Sequence, residues 1–308
     1  MTQLPDYPIC YSVSVSRALK AHILLVLTTV VWGVTFVLIK EALADISPLL
    51  FNAVRLTLAA ACLCLIFRKA VAGMTAAALR AGTIVGVFLW AGFEFQICGL
   101  KLTTPSKSAF VTGLSVVLVP VFLALLWRRM IGRWTALGVG TACLGLYLLT
   151  VPEAFFLAGI NRGDLLTLGC AAGFALQIIT MGQATAKHPF QQIAVVEAVV
   201  CAGLMWITAP LLEKPHLVWS PAVIWAIAVT GLLGTGAAFV VQAWAQQFTP
   251  AAHTALIFIL EPVFAWITSY VVLQERLGFR AAAGAGLILT GVLISELKGV
   301  GAGGAAKN

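Results

Sequence analysis

The sequence predicts an all-α, polytopic membrane protein with ten transmembrane helices, arranged as two inverted five-helix repeats around a central cavity. Its composition, its charge-free apolar runs and an internal repeat support this fold class. Of the 308 residues, 61% are hydrophobic and 10% are charged, and the mean hydropathy is +1.02. A soluble domain carries about 45–50% apolar and about 25% charged residues. The chain therefore has too little polar surface for an ordinary soluble enzyme, a disordered chain or a disulfide-stapled module.

The apolar runs are long enough to cross a bilayer. A membrane helix needs about 20 apolar residues to span roughly 30 Å of hydrocarbon. Five runs contain no Asp, Glu, Lys or Arg: 21–39, 108–127, 134–152, 165–186 and 215–260. Pro221 and Pro250 divide the last run, because proline is favoured where a helix begins. The ten predicted spans are 21–40, 48–67, 80–101, 105–127, 134–151, 164–185, 190–212, 221–245, 250–273 and 279–297.

The loop charges predict the orientation. Lys and Arg are enriched in cytoplasmic loops. With the amino terminus inside, the first five spans have eight inner cations against three outer ones, namely Lys40, Lys101 and Lys107. In the second half, inner and outer loops carry nearly equal numbers of Lys and Arg residues. We therefore expect a multi-pass protein of the bacterial inner (plasma) membrane with both termini in the cytoplasm.

The formal net charge of +8 is explained by these basic loops beside an anionic leaflet, so we expect the lipid bilayer and no nucleic acid as a partner. The seven cysteines form no CxxC motif, which argues against a metal site or a disulfide framework. The chain has no GxxxxGK[ST], HExxH or GxSxG motif. We therefore expect no cofactor and no enzymatic activity. Ten spans suffice for one cavity, so we expect a monomer.

The two halves of the chain repeat one another. Thr104-Pro105 and Thr249-Pro250 open spans four and nine. Gly132, Gly138, Gly140 and Gly145 recur 146 residues later, at 278, 284, 286 and 291. An odd number of spans in each copy places the second copy upside down. Inverted repeats around a midplane site are typical of secondary transporters that work by alternating access.

These patterns divide the chain into five segments. Residues 1–20 form a cytoplasmic tail, 21–151 the first repeat, 152–163 a connecting loop, 164–297 the second repeat and 298–308 a second cytoplasmic tail.

The stretches 261–265 and 275–278, followed by the glycines at 284, 286 and 291, resemble the second repeat of the EamA family, which belongs to the drug/metabolite transporter superfamily. Trp32-Gly33 followed by Arg55 is similar to the start of its first repeat, and the run 103–114 resembles a subset of these proteins. The resemblance implies ten helices, no use of ATP, and export of amino acids or related metabolites, as in YddG-type aromatic amino-acid exporters. The first repeat departs from the pattern, because Arg129 stands where the second has Glu275.

Ionisable residues at membrane depth are costly and usually face a cavity or the bundle interior. Glu94 shares a helical face with Trp90 and Phe93, and this face suits a substrate with an ammonium group and an apolar part. Alternatively, Glu94 pairs with Lys107. Near a helix N-terminus, Lys107 could attract a substrate carboxylate or extend to the interface. His253 is a candidate proton switch or a packing residue.

The predicted transport path is lined by Trp90, Phe93, Glu94, Lys107, Gln242 and His253. Glu261-Pro262 predicts a kink in span nine, with Glu261 as a gate, a proton carrier or a partner of the broken backbone, and Pro120 predicts the same kink in span four. Arg55 and Glu197 hold near-equivalent repeat positions and predict a structural ion pair. Asp164 predicts a cap at the start of span six.

Together these features predict a secondary transporter that exports small metabolites, with aromatic or amphiphilic amino acids as the expected class. A carrier of organic cations, drugs or sugar conjugates is the alternative. A receptor or scaffold is the alternative without transport.

Overall fold

The computed structural model describes residues 9–100, 102–103, 105–128, 131–151, 161–273 and 278–302, and these form helices and short connections. Ile46 and Leu217 form an isolated antiparallel bridge between two of the connections. The α-helices are α1 (Ile9–Ala42), α2 (Pro48–Ile66), α3 (Arg68–Ala72), α4 (Ala76–Leu100), α5 (Pro105–Gly113), α6 (Ser115–Trp127), α7 (Arg133–Thr150), α8 (Arg162–Thr185), α9 (Phe190–Leu212), α10 (Pro221–Val229), α11 (Ala238–Ala245), α12 (Ala251–Phe258), α13 (Glu261–Leu273) and α14 (Phe279–Ala302).

Eight helical stretches in the described part of the chain are long and apolar enough to cross a membrane. They are Arg17–Ala42, Pro48–Ile66, Ala76–Gly99, Ser108–Trp127, Arg162–Thr185, Phe190–Leu212, Pro221–Ala245 and Ala251–Val272. A shorter apolar helix covers Phe279–Ser295. The remaining predicted span, 134–151, coincides with α7, which packs along α14. The chain is thus a multi-pass, all-helical membrane protein.

Local sequence signals explain where several helices begin. Ser220 caps α10, because its hydroxyl accepts a hydrogen bond from the Val223 amide, and Pro221 follows at the first helical position. Asn161 caps α8 and forms a reciprocal capping box with Asp164. The predicted capping role of Asp164 is confirmed, although Asn161 supplies the cap residue itself.

Two spans are broken into half-helices nine residues after their opening proline. The first break lies at Leu114, between α5 and α6, and the second at Ile259–Leu260, between α12 and α13. The predicted kink at Pro262 is confirmed, because α12 ends at Phe258 and Pro262 is the second residue of α13. Pro120 lies buried inside the continuous helix α6, six residues after the break at Leu114, so span four is not interrupted at Pro120 and the kink there stays a prediction. A proline in a helix interior removes one backbone hydrogen bond.

Span eight contains a stretch of wider turns. Residues Thr230–Ala237 form a π-helical segment between α10 and α11. π-helical turns are rare and occur frequently at functional sites. This segment packs against α1 and α2.

Glycine contacts between α7 and α14 show how the two repeats are related. A Cβ added at Gly138 would lie 2.6 Å from the Gly291 carbonyl oxygen, and one added at Gly145 would lie 2.6 Å from that of Gly284. In the repeat, Gly138 corresponds to Gly284 and Gly145 to Gly291. The two contacts are therefore exchanged by the repeat, as a twofold relation requires. The equivalent helices α7 and α14 run antiparallel, so one repeat is inverted relative to the other.

A large apolar cluster joins the repeats near the start of α12. It includes Val116 and Val119 from α6, Leu256 and Ile257 from α12, and residues of α7, α8 and α14. Among the described residues, α5 and α13 do not pack against each other in a comparable way, although Val263 of α13 joins the cluster. These two half-helices are the repeat equivalents of α12 and α6. The helix bundle is therefore more tightly closed at the α6–α12 end.

Candidate functional site

Glu94 lies in a small polar cluster between α4 and α9. Its Oε1 accepts a hydrogen bond from the Trp90 indole nitrogen, at 3.1 Å, and another from the Thr208 hydroxyl. The same indole nitrogen lies 3.3 Å from the Thr208 oxygen. Glu94 as a whole is 6% exposed. The structure thus brings together the predicted pair Trp90 and Glu94 and adds Thr208, which the sequence reasoning missed.

Phe93 connects this cluster with a second one around Arg55. Its ring meets Phe174 edge-on, with centroids 5.5 Å apart, and the Arg55 guanidinium carbon lies 5.1 Å from its centre. Phe51 flanks the same guanidinium at 5.9 Å. The aromatic face predicted on α4 therefore faces a cation from α2, which sequence spacing alone did not indicate.

Arg55 is held by polar side chains from its own helix and from span eight. Its Nε donates to Asn52 Oδ1 at 2.9 Å, and its Nη1 donates to Thr235 Oγ1, in the π-helical segment, at 3.3 Å. Nearby, the Trp32 indole donates to the Gly234 carbonyl oxygen at 2.6 Å. The π-helical segment thus ties α1 and α2 together at this depth.

The predicted ion pair between Arg55 and Glu197 is not formed. Glu197 is fully buried, and its Oε1 accepts a 2.6 Å hydrogen bond from Gln177 on α8. None of the described bonds of Arg55 reaches it. The two residues do occupy matching repeat positions, because the Glu197 carbonyl packs on Gly86 and the Arg55 carbonyl on Gly231. The backbones match, but α2 and α9 direct these side chains towards different neighbours.

Gln242 lies in a buried network of amide side chains. Its Nε2 donates to Gln177 Oε1 at 3.0 Å and to Gln246 Oε1 at 3.2 Å. Gln246 in turn donates to the Ile178 carbonyl at 2.8 Å. This network joins α8, α9 and span eight through Glu197, and it satisfies polar groups that would be costly to bury alone.

His253 lies apart from the Glu94 cluster. Its Nε2 is 3.2 Å from the Thr135 hydroxyl on α7, and its ring lies 6.5 Å from that of His22 on α1. These contacts place it near the beginning of α12, at the closed end of the bundle. The structure therefore does not bring His253 together with Trp90 and Glu94.

Glu261 is half-buried at the start of α13, directly after the helix break. It lies close enough to Arg55 for a through-space charge interaction. The side chain of Lys107, and residues Arg129 and Glu275, lie outside the described residues, so the structure provides no contact for the predicted Glu94–Lys107 pair. In the described ranges, no three His, Cys, Asp or Glu side chains come together as metal ligands.

Five polar residues in these clusters were missed by the sequence reasoning: Asn52, Gln177, Thr208, Thr235 and Gln246. Each is an uncharged polar residue inside or at the end of an apolar span. That pattern could have indicated interior hydrogen bonding, because a polar group in a membrane helix needs a partner.

Comparison with known proteins gives a consistent family. The EamA-like transporter family matches residues 19–151 and 161–297. An uncharacterized transporter of Archaeoglobus fulgidus is 30% identical over 284 residues, covering 92% of this chain and 87% of that protein. The uncharacterized transporter YoaV of Bacillus subtilis is 22% identical, covering 90% of this chain and 96% of its own length.

A solved structure titled "Crystal structure of protein" shares the fold, with a TM-score of 0.75 at 18% sequence identity. The match covers 90% of this chain and 98% of the other. Because both halves of the chain match the family and the inverted repeat accounts for their packing, the chain belongs to the EamA-like transporter family.

Proposed function

We propose that the protein is a secondary transporter that exports small amphiphilic metabolites, with amino acids as the substrate class, by alternating access. The observation that carries this proposal is the exchange of glycine contacts between α7 and α14. Two inverted copies of one fold can adopt two related conformations in which they swap roles, and this is how inverted-repeat transporters expose one site to either side.

The asymmetry of the broken helices supports a rocking movement. One end of the bundle is closed where α6 packs against α12. In the opposite state, the repeat equivalents α13 and α5 would pack together and α6 and α12 would separate. The breaks at Leu114 and Ile259–Leu260 are natural places for such movement, because few backbone hydrogen bonds cross them.

The interior chemistry supports an amphiphilic substrate. Aromatic rings and charged groups lie together at Phe93, Arg55 and Glu94. Apolar walls with a few convergent polar groups are typical of small-molecule sites. We assign the path to this region, with Glu261 and Pro262 at the moving half-helix, in a ten-span monomer of the bacterial inner membrane with both termini in the cytoplasm.

Counterflow tests the proposal directly. The full chain is reconstituted in liposomes preloaded with an unlabelled amino acid or organic cation. Entry of the same compound in radiolabelled form is followed for a panel of both classes, with and without a pH gradient. We expect at least one aromatic or aliphatic amino acid to accumulate above protein-free liposomes. Accumulation of organic cations alone would replace the amino-acid assignment, and no movement of any solute would favour a receptor or scaffold.

Replacement of Glu94 and Lys107 together tests the path assignment. We expect the double variant to lose transport while retaining its elution profile in detergent. Gly140→Ala is a suitable control, because a Cβ at Gly140 meets nothing within 4 Å. Unchanged transport by the double variant would show that these two residues do not contribute to the path.

A further inference from the structure

We propose that Arg55 and Glu261 form the two ends of a binding site for a zwitterionic α-amino acid with an apolar side chain. Arg55 receives the carboxylate, Glu261 receives the ammonium group, and Trp32, Phe93 and Phe258 line the space for the side chain. The inference rests on the proposed transport function and identifies the atoms that select its substrate.

Arg55 has hydrogen-bonding capacity to spare. Its Nε and Nη1 are engaged by Asn52 and Thr235, whereas Nη2 has no hydrogen-bond partner in the described part of the chain. The side chain is only half-buried, although its neighbours come from the interior faces of other helices. A guanidinium held by two neutral acceptors keeps its full positive charge. It is therefore oriented to bind an anion, and a carboxylate matches the geometry of its N–H donors.

Glu261 supplies the opposite charge and forms no direct ion pair with Arg55 among the described contacts. It interacts with Arg55 through space. An unpaired cation and an unpaired anion are costly in a membrane interior. A ligand that carries both charges would neutralise both residues at once, and an α-amino acid carries them on adjacent groups.

The aromatic side chains near Arg55 and Glu261 come from both repeats. Trp32 packs against Phe258, with ring centroids 4.9 Å apart, and Phe258 is the last residue before the break that precedes Glu261. Across the site, Phe93 stacks against the Arg55 guanidinium at 5.1 Å. Gly33 brings α1 against α13, since an added Cβ would lie 2.6 Å from Phe264 Cβ. Such faces favour apolar side chains and also attract an ammonium group.

The π-helical segment supplies polar groups that orient Arg55 and Trp32. Its wider turns direct Thr235 towards Arg55 and the Gly234 carbonyl towards Trp32. The cation of α2 and the indole of α1 are thus held in fixed orientations by one segment. A preorganised site loses less conformational freedom on binding, which favours affinity.

Selectivity for the zwitterion is the direct test. Uptake of radiolabelled phenylalanine into liposomes containing the wild-type chain is challenged with unlabelled phenylalanine, phenethylamine, which lacks the carboxylate, and 3-phenylpropionate, which lacks the ammonium group. We expect each single-charge analogue to compete at least about tenfold more weakly than phenylalanine, because each leaves one protein charge unpaired. Equal competition by phenethylamine would overturn the role of Arg55, and equal competition by 3-phenylpropionate that of Glu261.

Variants assign the two ends of the site. Arg55→Met should abolish phenylalanine uptake, whereas Arg55→Lys should retain part of it with a raised KM. Glu261→Gln should weaken competition by phenethylamine but not by 3-phenylpropionate. Arg68→Met is the matched control, because Arg68 is exposed on α3. Wild-type-like uptake by Arg55→Met would overturn the proposal.

The failures of the two proposals can be distinguished. If the wild-type chain moves no amino acid, the proposed function fails and this inference falls with it. If the wild-type chain transports phenylalanine but does not discriminate against the analogues, transport stands and only the Arg55–Glu261 site is refuted. Should Arg55→Met fail to fold, as judged by size exclusion in detergent, the competition series on the wild-type chain still decides.

Discussion

The contact between α7 and α14 makes a strong prediction, because its glycines leave no room for a single methyl group. A Cβ at Gly145 would lie 2.6 Å from the Gly284 carbonyl oxygen, whereas ordinary van der Waals contact begins near 3.4 Å. The atom in the way is backbone, which cannot rotate aside. To accept Gly145→Ala, the helices must separate by ~0.8 Å at this point.

This separation sets the expected magnitude. Overpacking of a close-packed interface costs about 1–3 kcal/mol. Alanine also favours a helix over glycine by about 1 kcal/mol, but that gain applies to any glycine in the same helix. Gly140→Ala, in the same helix, meets nothing within 4 Å and isolates the helix-propensity effect. We therefore expect Gly145→Ala to be less stable than Gly140→Ala by about 1–3 kcal/mol.

Thermal unfolding in detergent, followed by tryptophan fluorescence, measures the difference. Gly145→Ala should melt several degrees below Gly140→Ala. Because the repeat maps Gly145 onto Gly291 and Gly140 onto Gly286, Gly291→Ala and Gly286→Ala should behave as the corresponding pair. Equal melting temperatures for Gly145→Ala and Gly140→Ala would refute the close backbone contact, and a difference in only one repeat would refute its symmetry.

Three further predictions concern polar groups and topology. Thr208→Val should lower the free energy of unfolding by about 1–3 kcal/mol, because the buried carboxyl group of Glu94 loses the hydroxyl that donates to it. Thr57→Val should lower it less in the same melting assay, because the Thr57 hydroxyl accepts its hydrogen bond from an exposed indole. Gln242→Leu should also cost about 1–3 kcal/mol, since two buried amides lose a partner, whereas Gln247→Leu, at an exposed position, should be nearly neutral. A green fluorescent protein fused to the carboxyl terminus should fluoresce, and an alkaline phosphatase fusion at the same place should be inactive; the reverse would contradict a cytoplasmic carboxyl terminus.

Apolar runs predicted the helical segments well, because span length and hydrophobicity are local properties. Proline and capping signals also predicted where helices begin, as at Pro221 and Asp164. The break in span four lies at Leu114, six residues before Pro120, so the position of this proline did not predict it. Sequence spacing fixes which residues share a face but leaves the opposing helix undetermined.

The same limit applies to the site. Trp90 and Glu94 are four residues apart on one helix, so their hydrogen bond follows from helical periodicity. Thr208 and Thr235 come from distant helices, and only the tertiary packing brings them to Glu94 and Arg55. Long-range partners of this kind depend on the rotation of each helix about its axis, which hydrophobicity specifies poorly inside a membrane, where lipid-facing and core-facing residues are both apolar.

Arg55 and Glu197 show how a duplicated scaffold can hold an asymmetric site. A Cβ added at Gly86 would lie 3.0 Å from the Glu197 carbonyl oxygen, and one added at Gly231 would lie 3.1 Å from the Arg55 carbonyl oxygen. The backbone packing is therefore alike in the two repeats. The side chains differ in role. Glu197 is buried among amides, whereas Arg55 keeps accessible surface beside aromatic rings. In the proposed mechanism, alternating access needs symmetry only in the backbone packing that moves, while the proposed zwitterion site needs opposite charges at its two ends. Two arginines at the equivalent positions could not supply opposite charges. The glycine contacts are kept in both repeats while the polar side chains differ, so the backbone packing stays symmetric and the site becomes asymmetric.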